Sequence, residues 1–330
     1  MAAAGPDMPV RRGPLVTPAF ERFVAPARRR PQIWRLVAGF VLAFGIYVAW
    51  VIGVLALGYY ALAPGGDPVL WVSRMVEADT VEGTLILLAT FGGMALGPMA
   101  AARLLHRRSA GSLFGPRVRV LRDFVIAAGI VFAVMGLSVL LWTFSYDAVP
   151  NLPWTTWLAV LPLTLLGLLV QTGAEEVLFR GYLQSQLAAR FRSPLLWLVL
   201  PSLVFGIVHL DPATGGDNTW LIVGAASIFG LLAADLTART GSIGAAWGFH
   251  FANNTMAIAL LSTDGTITGL SRYLTPYTMA ELDGSVFLIG ADIFMMLLAW
   301  LLVRRAVGRG LHFAAHGLIS GRTRDPEGSA

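Results

Sequence analysis

The chain of 330 residues is 56% hydrophobic and 13% charged with a mean hydropathy of +0.69, which excludes an ordinary soluble domain, where about a quarter of residues are charged. It has no cysteine, so disulfides, a thiolate nucleophile and Cys-ligated zinc are excluded, while a site of histidine and glutamate ligands stays open. The net charge of +5 comes from arginines clustered beside apolar segments, a signature of membrane topology and not of nucleic-acid binding.

Residues 1–32 are rich in Pro, Ala and Arg and have no apolar core, so they are expected to be a disordered cytoplasmic segment. A first membrane span is predicted from Trp34 to Ala63, ended by the turn-forming run Pro64-Gly-Gly-Asp-Pro68. Further spans are predicted at 82–104, 123–145, 155–190, 195–210, 219–238, 242–262 and 284–303. The expected fold is therefore all-α, a polytopic bundle of about eight transmembrane helices. Residues 33–309 form the membrane domain, with its core at about 120–262, and 310–330 form a polar, frayed cytoplasmic tail that carries His312 and His316.

Loop charges orient the bundle. Arg103, Arg107, Arg108, Arg117, Arg119, Arg122, Arg190, Arg192, Arg239, Arg304, Arg305 and Arg309 fall in alternate loops, whereas Asp67, Glu77, Asp79, Asp147, Asp211, Asp217, Asp264, Glu281 and Asp283 fall in the others with only Arg74 and Arg272. The positive-inside rule then places both termini in the cytoplasm. Ser109–Val120 is open to two readings, a solvated basic loop or a short interfacial segment. Trp142, Trp154, Trp157 and Trp300 lie near span ends, as in an aromatic belt.

One stretch breaks the apolar pattern: Gln171-Thr-Gly-Ala-Glu175-Glu176-Val-Leu-Phe-Arg180. Charged side chains cost about 2.5 to 3.5 kcal/mol each at the centre of a membrane helix, so these three must be paired or face a wet cavity. Glu176 and Arg180 share a helix face at i, i+4, which leaves Glu175 free for other work. Two histidines also fall inside predicted spans. His209 closes Phe205-Gly-Ile-Val-His209, with both rings on one face and Phe205 as packing that shapes the site. His250 opens His250-Phe-Ala-Asn253-Asn254, so that His250 and Asn254 share a face, with Asn253 as a possible substitute. Asp235 is expected to pair with Arg239, and Asp292 has no evident partner. Helical rise sets Glu175 and His209 level, roughly 22 to 26 Å from their cytoplasmic turn, whereas His250 and Asn254 stand lower.

Glu175-Glu176-x-x-x-Arg180, Phe205-x-x-x-His209 and His250-x-x-x-Asn254, in this order on separate helices, resemble the CPBP intramembrane endopeptidases, relatives of the CAAX prenyl protease. The resemblance covers residues 120–262. It implies that Glu175 and His209 activate water, that His250 and Asn254 form the oxyanion hole, and that no cofactor is needed. It also implies a membrane-embedded or lipid-anchored peptide as substrate. The expected location is a bacterial inner membrane, with a site open to the cytoplasm. A zinc peptidase using Glu175, His209 and His250 as ligands is one alternative. A non-enzymatic binding protein or proton-coupled transporter is the other.

Overall fold

The computed structural model describes residues 16–144, 146–280 and 285–320, with the side chains of the last stretch described from 289 to 308. A short helix, α1 (Pro18–Val24), precedes the first long one, α2 (Ile33–Leu62). At a rise of about 1.5 Å per residue α2 is long enough to cross a bilayer at a tilt. Val37, Val41, Phe44, Ile52 and Leu57 remain exposed along it, as an outer helix bathed by lipid requires. It ends at the predicted Pro-Gly turn, after which Asp67 caps α3 (Pro68–Glu77) by accepting from the Val69 and Leu70 amides. Thr80 caps α4 (Val81–Leu104) in the same way through the Gly83 amide.

The central helices follow. They are α5 (Arg117–Trp142), α6 (Trp154–Glu176), α7 (Ser185–Arg190), α8 (Leu200–Ile207), a single turn α9 (Pro212–Gly215), α10 (Thr219–Thr240), α11 (Gly244–Asn254) and α12 (Ser285–Ser320). Residues Val177–Gln184 join α6 to α7 in wider π-helical turns, and Thr255–Leu260 extend α11 in the same form. Three short strands, β1 (Val149–Pro150), β2 (Leu261–Asp264) and β3 (Tyr273–Thr278), form a small sheet with β3 in the middle, antiparallel to β1 and parallel to β2. The molecule is an all-α membrane bundle with this sheet at one end. Among the described residues, five helical stretches are long and apolar enough to cross a membrane: 33–62, 81–104, 110–142, 154–190 and 212–240. The predicted span at 195–210 is a shorter helix, Leu195–Ile207.

Two expectations about the ends of the chain need correction. Residues 18–29 are helical and packed, with Phe20, Phe23, Val24 and Ala27 buried in the main core. Phe20 lies against Trp197 with ring centroids 5.2 Å apart, and the Thr17 hydroxyl donates to the Ala238 and Arg239 carbonyls. The Pro/Ala/Arg composition concealed an amphipathic turn whose aromatic side has a groove to fill. Residues 1–15 lie outside the described residues. At the other end α12 runs on to Ser320, past the expected boundary at 309, and residues 321–330 lie outside the described residues.

Two further features hold the bundle close. Gly241 ends α10 in the left-handed region (φ +67), and a side chain there would strike the Ala19 carbonyl of α1. Gly244 and Gly248, one turn apart on α11, sit against the Val120 and Phe124 carbonyls of α5, where a methyl group would collide. This small-xxx-small spacing lets two backbones meet.

Candidate functional site

Glu175 and Glu176 end α6, at 7% and 0% exposure. Glu176 is held twice through one oxygen. The Arg180 guanidinium donates to Oε1 at 2.9 Å, and His250 Nδ1 donates to the same oxygen at 2.9 Å. Arg180 is itself fixed, since it donates to the Gly230 carbonyl at 3.2 Å and lies over the Phe205 ring, 4.7 Å from its centroid. A buried guanidinium shared by a carboxylate, a carbonyl and an aromatic face is the kind of pairing that a charge in an apolar interior requires. The predicted pairing of Arg180 with Glu176 is what the structure contains.

Glu175 is held differently. Its Oε1 accepts from Gln171 Nε2 at 2.7 Å, and its Oε2 is buried with no hydrogen-bond partner among the described residues. His250 Nε2 stands 3.6 Å from that second oxygen, beyond hydrogen-bond distance yet close enough to share a proton after a small adjustment. Because Nδ1 of His250 faces a carboxylate it carries a hydrogen, so a neutral ring presents Nε2 as an acceptor. Asn254 Nδ2 donates to Gln171 Oε1 at 3.0 Å, and Asn253 Nδ2 donates to Asn254 Oδ1 at 3.3 Å.

Gln171 thus bridges Glu175 and Asn254, a link that the sequence reading left without a role. Its signal was available in the i, i+4 spacing to Glu175, the same spacing that identified Arg180.

His209 lies just beyond α8, exposed. Its ring lies tilted against Phe205 at 4.8 Å between centroids, and its Nδ1 donates to the Phe205 carbonyl at 2.7 Å. That bond leaves Nε2 as an acceptor. Among the described residues no hydrogen bond or ion pair joins His209 to Glu175. The histidine in direct contact with the glutamates is His250. Phe205 is the hub, buried against Phe179, Phe229, His209 and His250.

His209, His250, Asn253, Asn254 and Phe205 line one cavity of about 500 Å³ that extends past Trp142 and Tyr146 to Thr263, Thr275 and Tyr277 at the sheet. The expected opening lay at the opposite, arginine-bearing end. At that end nearly every residue from 177 to 188 is buried and α1 closes over Trp197, while a separate cavity of about 680 Å³ is lined by Phe114, Arg117, Phe124, Leu169 and Trp247. Asp235 also departs from expectation, accepting from Arg304 Nε at 2.9 Å and Trp300 Nε1 at 3.1 Å in place of Arg239, because α12 lies alongside α10. Among the described residues no group of three or more His, Asp or Glu side chains is arranged to hold a metal ion.

Comparison with known proteins adds a family. Residues 153–256 match the family model of type II CAAX prenyl endopeptidase Rce1-like proteins. The Bacillus subtilis (strain 168) protein YyaK is 22% identical over 254 residues, which are 75% of this chain and 84% of that one. No solved structure matches. The matched region contains every residue of the cluster, from Gln171 to Asn254.

Proposed function

We propose that this chain, whose residues 153–256 match the family of type II CAAX prenyl endopeptidase Rce1-like proteins, is a CPBP-type intramembrane endopeptidase in which Glu175 takes the proton of a hydrolytic water. The observation that carries the reading is the asymmetry of the two carboxylates. Each carboxylate has a buried Oε2 without a partner among the described residues, but Glu176 is pinned through Oε1 by Arg180 and His250, whereas Glu175 accepts only from the neutral Gln171 amide and has His250, which lines the cavity, 3.6 Å from its Oε2. A base must be positioned yet still able to accept a proton, and Glu175 meets both conditions.

In this mechanism water enters from the cavity and hydrogen-bonds Glu175 Oε2, with the free Nε2 of His209 on the cavity wall as its second acceptor. The hydroxide equivalent attacks the peptide carbonyl carbon. The proton that Glu175 takes from the water passes on to His250 Nε2, 3.6 Å away, and from there His250, with the remaining hydrogen of Asn254 Nδ2, donates to the developing oxyanion. The same proton then goes to the leaving amine as the C–N bond breaks. The substrate class is a membrane-embedded or lipid-anchored peptide, because the cavity lies within the apolar bundle.

The fold is proposed to cross the membrane eight times with both termini in the cytoplasm. Two sets of contacts support this. Arg30, Arg35, Arg108 and Arg119 meet His106, Leu105, Ser185 and Thr240 at one end. Asn151, Asn218 and Thr268 meet Ser271, Met279 and Ala78 at the other. The arginine end faces the cytoplasm of a bacterial cell, and the residues of 33–309 act as one membrane domain.

The test compares peptides released from membranes that contain the intact chain or Glu175→Gln, followed by assay of the purified protein on the peptide so identified. Glu175→Gln and His209→Ala are expected to abolish cleavage. Asn254→Ala is expected to lower turnover by about 10²- to 10³-fold with little change in KM. Activity that survives in Glu175→Gln overturns the mechanism. Activity lost to 1,10-phenanthroline and restored by zinc replaces it with a metal site.

A further inference from the structure

The sheet end of the cavity holds one carboxylate that the proposed reaction does not use. Asp292, on α12, lines the cavity with Trp142, Tyr146 and Tyr277. The three rings form a continuous wall: Trp142 and Tyr146 are 5.8 Å apart between centroids, and Tyr146 and Tyr277 are 5.7 Å apart and nearly perpendicular. Burial, each other's presence and the Asp292 charge all push the ionisation of Tyr146 upward, so its hydroxyl stays protonated and donates to Tyr277. Among the described cavity-lining residues there is no arginine or lysine, and Asp292 is the one carboxylate.

Asp292 is exposed to this space, and among the described residues no arginine or lysine is paired with it, so a cationic guest would meet an unpaired carboxylate there. Electron-rich aromatic faces beside a carboxylate favour the same guest, since both attract an ammonium or guanidinium group. The rest of the wall carries Met135, Met256, Met279 and Met296, flexible side chains that adapt to varied apolar shapes and discriminate little between them.

We propose that Asp292, with Trp142, Tyr146 and Tyr277, forms a subsite for a lysine or arginine side chain of the substrate peptide, so that the cavity selects a basic residue in an otherwise apolar sequence. This rests on the peptidase reading, and it deepens that reading by naming the substrate's chemistry. The subsite draws the peptide in by its charge, and the methionine wall accommodates the neighbouring residues between it and the glutamates.

The test separates binding from cleavage. The full chain carrying Glu175→Gln, in lipid nanodiscs, is titrated with dansyl-labelled, N-acetylated pentapeptides Leu-Ala-X-Ala-Leu, in which X is lysine, norleucine or glutamate, and binding is read by fluorescence polarisation. The lysine peptide is expected to bind about tenfold or more tightly than the norleucine peptide, on the scale of a desolvated cation on aromatic and carboxylate partners. Asp292→Asn should equalise the two, and Asp292→Glu should restore most of the preference, which controls for folding. Equal affinities for all three peptides, no binding of any of them, or a lysine preference that persists in Asp292→Asn each overturns the proposal. A preference only for peptides with a free N-terminal ammonium also overturns the side-chain assignment. Failure of the peptidase reading appears separately, as a lysine preference in a chain whose peptide release is indifferent to Glu175→Gln.

Discussion

Gln171 shows how a neutral side chain can govern a charged site. It donates to Glu175 and accepts from Asn254, so it sets the aim of the proposed base and of an oxyanion donor together. Gln171→Met keeps the volume and removes both bonds. A hydrogen bond to a charged group contributes about 1.5 to 3 kcal/mol, so kcat is expected to fall by about 10- to 100-fold while KM changes little. A fall in substrate affinity with unchanged kcat would mean that Gln171 positions the peptide and not the catalytic groups. His106 gives a second residue-scale prediction outside the site. Its Nδ1 donates to the Arg30 carbonyl and its Nε2 accepts from the Tyr182 hydroxyl, both at 2.9 Å. Burial holds its pKa below the ordinary histidine value, so the unfolded chain binds the proton more readily than the folded one. The stability from this clasp is therefore fully present above about pH 6.5 and is lost as pH falls through the lower folded value. Thermal unfolding in detergent should show a midpoint that drops on acidification in the intact chain and drops less in His106→Gln.

The elements that carry the cluster gain their precision from close backbone contact. On α11, Gly244 and Gly248 press against the carbonyls of α5, and His250 lies two residues beyond Gly248. Gly248→Ala should push α11 away and carry His250 off Glu176. A misplacement of about 1 Å near a reaction centre costs about 100-fold in rate, so cleavage should fall by that order. Gly129→Ala on α5, where nothing lies within reach of a new methyl group, should leave cleavage unchanged. Equal effects of the two substitutions would remove the close approach as the reason. Helical periodicity made the Glu176–Arg180 pair and the Phe205–His209 contact legible in the sequence, because both are local. The contact of His250 with both glutamates was not legible, since it depends on how closely α11 approaches its neighbours. Helical rise alone set His250 too low, and the π-helical turns after Glu176 and Asn254 alter the winding that such a count assumes.

At the scale of the whole molecule, hydropathy located the long helices and loop charge separated the two ends, but neither indicated towards which end the cavity beside His209 and His250 extends. The sequence reading placed the opening beside the arginines and took residues 1–32 as disordered, whereas α1 and the buried 177–188 stretch pack against each other at that end and the cavity that His209 and His250 line extends towards the sheet. Single cysteines suit a chain that has none. A cysteine at Arg192 should react with a membrane-impermeant maleimide only after the cells are opened, and one at Thr266, on the cavity wall, should react in intact cells. The reverse pattern would invert the proposed orientation, and labelling of both positions in intact cells would discard it. The seating of α1 also bears on how the chain is made. Thr17 bonds to residues 221 and 222 positions later, and synthesis runs at about 5 to 20 residues per second, so the segment waits roughly 10 to 45 s for its groove to exist. Through that interval Phe20 and Phe23 have no partner from α10, and the earliest translated helix is among the last to dock. A ribosome-bound chain stalled before residue 240 clears the exit tunnel should be cut by protease near α1, and the same site should become resistant once α10 has emerged.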